Sequence, residues 1–263
     1  MTPELIIAIE VCLKAGKSMI GNRAFHAWST GEHSSKAAMP AYVGMEAFRM
    51  IVQSLSVTGL PVLGAYSEQV SFRVRARWPR LWLVSVTNGQ SAASNQPVVR
   101  TVGVALIDGH EPVLGVIYSP ATDELYCASS DNGAYLVRNA SKSFVRTTKL
   151  AVRPENPPGN IRGPVRLMVE SGSLDDRMLA CIEDLRHQYP EITLVDSERG
   201  MSICRIAAGD AELYPRLDTT CEWETAAGHA ILKATGRNLV DLRTGCELTY
   251  NKPEMLNPRF IAR

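Results

Sequence analysis

An unbroken apolar run, Leu81-Trp82-Leu83-Val84, is followed at once by Ser85-Val86-Thr87-Asn88-Gly89-Gln90, and this stretch most limits what the chain can become. So short an apolar run, with a turn-forming pair after it, reads as a buried strand that Asn88-Gly89 brings to an end. A strand ending in such a turn presents side chains and backbone N–H groups at a sheet edge, where α/β proteins place their chemistry. At 263 residues the chain can surround that strand with one large domain, or with two small ones that share a core.

The flanking segments supply the layers. Thr2 or its neighbour caps a first helix, Pro3 suits its first turn, and Leu5, Ile6, Ile9, Leu13 and Met19 or Ile20 form its stripe. Residues 22–39 are polar and read as a loop or hairpin, with His26 and His33 as exposed loop residues. A second helix runs from Pro40 to Leu55 with Val43, Ala47, Met50, Ile51 and Leu55 inward, and Gly59 to Leu63 makes a turn and a short strand. The arginines between Arg73 and Arg80 read as a solvated face ahead of the apolar run. Strands follow at Thr101–Ile107, Val113–Tyr118, Leu125–Ala128 and Gly133–Val137, with a hairpin turn at Asp108-Gly109-His110. The segment Arg153 to Asn160 is rich in Pro and polar residues and marks a boundary. Beyond it strands and helices alternate: Val165–Val169, Leu174–His187, Ile192–Val195, Met201–Ala208, Ala211–Tyr214, Trp223–Thr235 and Asn238–Val240. The expected fold class is therefore α/β, with an α+β half over 1–151 built on an antiparallel-rich sheet and an α/β half over 152–263.

Charge and cysteine usage narrow the partners. The formal net charge is +1, so no overall field recommends nucleic acid or an anionic membrane. No apolar run is long enough for a membrane span, and the N-terminus lacks the marks of a signal peptide. The cysteines, Cys12, Cys127, Cys181, Cys204, Cys221 and Cys246, have no metal-binding spacing and read as free thiols in a reducing, cytoplasmic setting. The expected partners are a small-molecule ligand and, at most, a second copy of the chain.

Several stretches carry a resemblance. Ala208-Gly209-Asp210-Ala211-Glu212-Leu213-Tyr214-Pro215-Arg216, Glu222-Trp223-Glu224-Thr225-Ala226-Ala227-Gly228-His229-Ala230 and Leu256-Asn257-Pro258-Arg259-Phe260 look like motifs of the inositol monophosphatase superfamily, and specifically of its bacterial 3′(2′),5′-bisphosphate nucleotidase branch. The hairpin Gly103–Gly109 and Pro112–Pro120 and the strand Leu60–Leu63 match as well. The resemblance implies a layered αβαβα sandwich with a cleft between its halves. It also implies a pattern of magnesium ligands from which this chain departs. Where the superfamily reads W-[LIV]-[LIV]-D-P-[LI]-D-G-T, the chain has Ser85 and Asn88 in place of the aspartates. Met45 stands at another family aspartate, and Tyr66 at the bridging glutamate unless the alignment slips to Glu68. Glu224 keeps a carboxylate where the family has its late aspartate.

Magnesium needs several oxygen ligands, mostly carboxylates, and a thioether, a phenol, a hydroxyl and an amide do not supply that charge. The expectation is no metal, no cofactor and no phosphate-ester hydrolysis. In the pocket that remains, Met45, Ser85, Thr87, Asn88, Gly89 and Gln90 are the candidate ligand contacts. Glu224 is the candidate general base or ion-pairing group, and Tyr66 the candidate general acid. Plainer roles compete residue by residue: Glu224 as a helix N-terminal charge, Tyr66 and Met45 as packing, Asn88-Gly89 as a turn. His229 reads as structural. Cys221, near a helix start, is a thiol whose pKa the helix could lower, yet it has no His partner. Metal-free catalysis, ligand binding without turnover, and a surviving nucleotidase with ligands moved to Glu68, Glu222 and Glu224 stand as the three uses of such a pocket.

Overall fold

The computed structural model describes residues 1–21, 38–90, 97–142, 145–152, 164–197 and 200–263, except for the side chains of 21, 38–42, 88–90 and 97–100. Alternation along β2 (Arg80–Gln90) decides the layers. Leu81 and Leu83 enter an apolar cluster with Ala226, Ala227 and Ile231, whereas Trp82, Val84 and Val86 enter another with Leu5, Ala8, Ile51 and Leu55. The run is continuous because both faces of the strand are covered.

Around it lies a sheet in the order β1 (Val62–Gly64), β2, β3 (Pro97–Asp108), β4 (Glu111–Ser119), β5 (Glu124–Ser129), β6 (Gly133–Arg138), β7 (Arg146–Lys149). β1 runs parallel to β2, and the other neighbours are antiparallel. The exposed strand β7 was not expected from its polar sequence. β2 also runs further than the sequence suggests. Asn88-Gly89 forms no turn: the strand continues to Gln90, pairing with Val99, Val98 and Pro97 past a bulge between Thr87 and Asn88. The bulge lets the partner strand satisfy backbone groups that a turn would otherwise have used.

Helices α1 (Pro3–Gly21) and α2 (Ala38–Leu55) cover one face. The buried side of α1 is Leu5, Ala8, Val11, Cys12, Ala15 and Met19; of the expected pair Met19 or Ile20 it is Met19 that turns inward, while Ile6, expected on the stripe, is exposed. Small residues win because the helix lies close to the sheet: a Cβ on Gly16 would stand 2.5 Å from the Tyr118 ring. On α2, Phe48 is buried and Met50 only half-buried. In the arginine-rich segment Arg73 and Arg77 are exposed as expected, but Arg75 is not. The segment holds a short helix, α3 (Phe72–Arg75), whose Arg75 is buried and donates to Asn251 Oδ1 at 2.9 Å, the Pro253 carbonyl at 2.9 Å and the Val70 carbonyl at 3.1 Å.

The second sheet is built from β8 (Val165–Glu170), parallel to β9 (Ile192–Ser197), and from the antiparallel set β10 (Tyr214–Arg216), β14 (Phe260–Ala262), β12 (Leu239–Asp241). A parallel bridge between Leu167 and Leu213 joins the two groups. Its outer side packs on Met178 and Ile182 of α4 (Asp176–Arg186). Between the sheets lie α5 (Ser202–Ala208) and α6 (Glu222–Lys233), giving the layered αβαβα sandwich. Contact between α6 and the large sheet is direct: a Cβ on Gly115 of β4 would stand 2.2 Å from the Ala227 carbonyl oxygen. The loop or hairpin expected to carry His26 and His33 and the boundary expected at 153–160 lie outside the described residues. Among the described residues no helix is long and apolar enough to cross a membrane.

Candidate functional site

The site begins where the chain enters α6. Thr220 and Cys221 form a short strand, β11, paired with Leu256 and Asn257 of β13. The Cys221 backbone N–H then donates to Glu224 Oε2 at 2.7 Å, closing the first turn as a capping carboxylate does. Glu224 is exposed, and its Oε1 has no hydrogen-bond partner among the described residues. Its neighbour Glu222 is fully buried, accepting the backbone N–H groups of Asn251 at 2.6 Å and Lys252 at 3.0 Å and the Lys252 ammonium at 2.7 Å. Glu222 therefore clasps the C-terminal segment to the helix. The Cys221 thiol is not activated by the helix end. Burial, then the charges of Glu224 and Glu222, push its pKa up.

Beside this helix start lies a cavity of about 50 Å³, reached by Thr87 from β2, Glu224 and Thr225 from α6, Glu170 from the end of β8, and Tyr214 and Arg216 from β10. Glu170 and Arg216 are both buried and form an ion pair. The Tyr214 hydroxyl donates to Glu170 Oε1 at 2.8 Å, and Ser202 Oγ approaches the same oxygen at 3.4 Å. Burial, reinforced by the charge of Glu170, pushes the Tyr214 hydroxyl well above its ordinary range. Burial alone disfavours the charge on Arg216, but Tyr214 and Glu170 outweigh it and raise its pKa. A second hollow, of about 270 Å³, meets the same Glu170, Tyr214 and Arg216 from another side and is bordered by Asp175, Arg177 and Asp218.

Of the residues singled out in the sequence, Thr87 and Glu224 come together at the cavity. Ser85 lies two residues before Thr87 on the same strand, with their hydroxyls 3.5 Å apart. The backbones of Asn88, Gly89 and Gln90 continue β2; their side chains lie outside the described residues. Tyr66 is half-buried against Phe48, ring centroids 5.9 Å apart, and burial raises its hydroxyl pKa. Met45 is half-buried on α2, and neither it nor Tyr66 borders this cavity. Glu68 is exposed at a separate hollow of about 390 Å³ shared with Trp223 and Met255. His229 is structural in its contacts: Nδ1 meets the Tyr250 hydroxyl at 2.9 Å, Nε2 meets Asn238 Oδ1, and burial lowers its pKa to about 4.

The sequence reading missed Glu170 as a site residue. Its signal was a carboxylate ending the apolar strand Val165–Val169, a position from which α/β sheets present functional groups. Tyr214 and Arg216 were visible only as framework.

With this geometry in hand, comparison with known proteins places the chain. A model of the inositol monophosphatase family matches residues 95–261. The chain belongs to that family. It is similar to the 3′(2′),5′-bisphosphate nucleotidase CysQ of Salmonella typhimurium, with 32% identity over 204 residues, 76% of this chain and 74% of that protein. The CysQ of Shigella flexneri is 34% identical over 203 residues, with 76% and 74% covered. Among solved structures, CysQ from Bacteroides thetaiotaomicron superposes with a TM-score of 0.79 at 27% identity, over 99% of this chain and 96% of that one. Inositol monophosphatase II of Staphylococcus aureus, at 15% identity and TM-score 0.71, shares the fold over 100% of this chain and 91% of that one.

The family makes the donor set of the cleft a question of magnesium. Among the described residues no group of three or more His, Cys, Asp or Glu side chains is placed to hold a metal ion. Among the described residues the carboxylates bordering the cavity are Glu170, engaged by Arg216 and Tyr214, and Glu224, engaged by the Cys221 N–H.

Proposed function

We propose that this member of the inositol monophosphatase family binds a small organic molecule in the cleft between residues 1–151 and 152–263, and acts on it without magnesium. Glu224 is the acid–base or ion-pairing group in this reading. The observation that carries it is the state of the two cavity carboxylates. Glu170 is neutralised by a buried arginine, while Glu224 is exposed with one oxygen uncommitted among the described residues. The described lining offers Glu170 and Glu224 against Arg216, a formal balance of one negative charge. Such a lining favours a neutral or cationic ligand over a bisphosphate unless metal ions supply the missing positive charge.

Ligand binding without turnover is the second reading, favoured by the capping hydrogen bond that gives Glu224 a structural role of its own. The CysQ relatives are bisphosphate nucleotidases, so the decisive assay is hydrolysis of a 3′,5′-bisphosphate nucleotide with and without magnesium, alongside calorimetric titration with magnesium. The expected results are background hydrolysis in both conditions and no saturable magnesium binding in the micromolar range. Hydrolysis that appears with magnesium and disappears with chelator overturns the proposal. Glu224→Gln then separates the two readings: once a substrate is in hand, catalysis requires a loss of roughly a hundredfold or more in turnover.

A further inference from the structure

We propose that Glu170 is the specificity-determining residue of this cleft: by claiming the Arg216 guanidinium, it closes the site to phosphate and other anionic groups. The inference rests on the metal-independent reading of the cleft and adds the class of ligand that it refuses. Arg216 is the one cationic side chain among the described residues lining the cavity. It is 7% exposed, and its Nε is buried without a hydrogen-bond partner among the described residues. A buried guanidinium with a spare donor is a strong anion receptor as long as no fixed carboxylate occupies it.

Glu170 is that carboxylate. It is 6% exposed, pairs with Arg216 through Oε2 and is held in place by the Tyr214 hydroxyl, 2.8 Å from Oε1. An incoming phosphate must therefore displace a buried, hydrogen-bonded carboxylate, or approach it closely as a like charge. Both hollows reach the pair, so the exclusion acts from either side. On the larger side Asp175 and Asp218 are bound by Arg177, at 2.7 Å and 2.9 Å, and that arginine is exposed and already engaged.

Glu170→Gln keeps the side-chain shape and an oxygen to accept from Tyr214, but removes the charge. The probe is inorganic phosphate, titrated calorimetrically in the presence of chelator against wild type, Glu170→Gln and the double variant Glu170→Gln/Arg216→Gln. Wild type should show no saturable binding into the millimolar range. Glu170→Gln should bind at least roughly tenfold more tightly, the worth of one charge-assisted hydrogen bond. The double variant should lose that gain. Thermal unfolding gives a second measurement if Glu170→Gln is weakened: added phosphate should raise its Tm and leave that of wild type unchanged. Equal phosphate binding by wild type and Glu170→Gln, or a gain that persists without Arg216, overturns the assignment. Since these titrations are made in chelator, magnesium-dependent hydrolysis by wild type would sink the metal-independent reading without deciding the role of Glu170.

Discussion

Gly115→Ala should be among the most damaging single-methyl additions in this protein, because it drives α6 off the sheet that positions Glu224. The new Cβ would stand 2.2 Å from the Ala227 carbonyl oxygen, 2.9 Å from its carbonyl carbon and 3.0 Å from its Cα. All three are backbone atoms in the middle of a helix, so no side chain can rotate to make room. Overpacking a core typically costs roughly 1–3 kcal/mol. A clash of backbone against backbone belongs at the top of that range. For a chain of this length about 3 kcal/mol corresponds to a fall in Tm of roughly 6–12 °C. Gly59→Ala is the matched control: its φ of +67° makes alanine strained, but a Cβ there meets nothing within 4 Å, so the expected loss is about 1 kcal/mol. Thermal and urea unfolding, followed by circular dichroism, measure both. If Gly115→Ala melts within a degree of wild type, or no lower than Gly59→Ala, the close seat of α6 on β4 is wrong, and so is the placement of Glu224 derived from it.

Glu222→Ala should lower stability by roughly 2–4 kcal/mol in urea unfolding, since it leaves the backbone N–H groups of Asn251 and Lys252 without their acceptor and the Lys252 ammonium with only the Thr249 carbonyl, and a loss under 1 kcal/mol would refute the clasp. Stability should fall as pH drops from about 6.5 toward about 4, because His229 is neutral when folded and takes up its proton on unfolding. Its surroundings, Tyr250, Asn238, Glu247, Lys233 and Glu111, do not restore the charge, so up to about 3 kcal/mol is at stake. His229→Gln should flatten that part of the profile, and an unchanged slope would exclude His229 as its source. Under native conditions at neutral pH a thiol reagent should label exposed Cys246 first, and should reach Cys12, Cys127 and Cys204 only after unfolding. Rapid native labelling of any of those three would contradict their burial.

Legibility in the sequence followed the physics of each element. The run Leu81–Val84 announced a strand covered on both faces, and the alternation of Thr101–Ile107 and Val113–Tyr118 announced its neighbours. On α1 periodicity found Leu5, Ile9, Leu13 and Met19 but misplaced Ile6, which looked inward by hydrophobicity alone. Close approach of the helix to Tyr118 favours Ala8, Cys12, Ala15 and Gly16, residues with little apolar signal. Asn88-Gly89 failed as a turn because the pairing of β3 extends past a bulge, a tertiary fact that the local signal does not carry. Arg75 looked solvated until Asn251 and Pro253, far along the chain, arrived to take its donors. At the candidate site, motifs marked the segments of Glu224 and Thr87, which border one cavity. Glu170 carried only the weak signal of a carboxylate at a strand end, and nothing local reveals that it will meet Arg216 on another strand.

Those differences explain why the start of α6 is a fixed point in this fold. Three independent restraints converge there: the Glu222 clasp on residues 251 and 252, the seat of Ala227 on Gly115, and the hydrogen bond from the Cys221 N–H to Glu224. The first two do not involve the Glu224 carboxylate, so the backbone beneath it is set by packing and would remain set if that carboxylate changed. Glu224 can therefore vary at the cost of a cap, of order 1 kcal/mol, without loss of the helix. Glu170 and Arg216 are coupled in the opposite way: both are buried, each compensates the other, and neither charge can be removed without leaving its partner exposed to the low dielectric around it. On the function proposed above, a cleft with one loosely constrained carboxylate and one tightly coupled pair would be able to change what it binds at Glu224 while the pair continued to decide which charges enter.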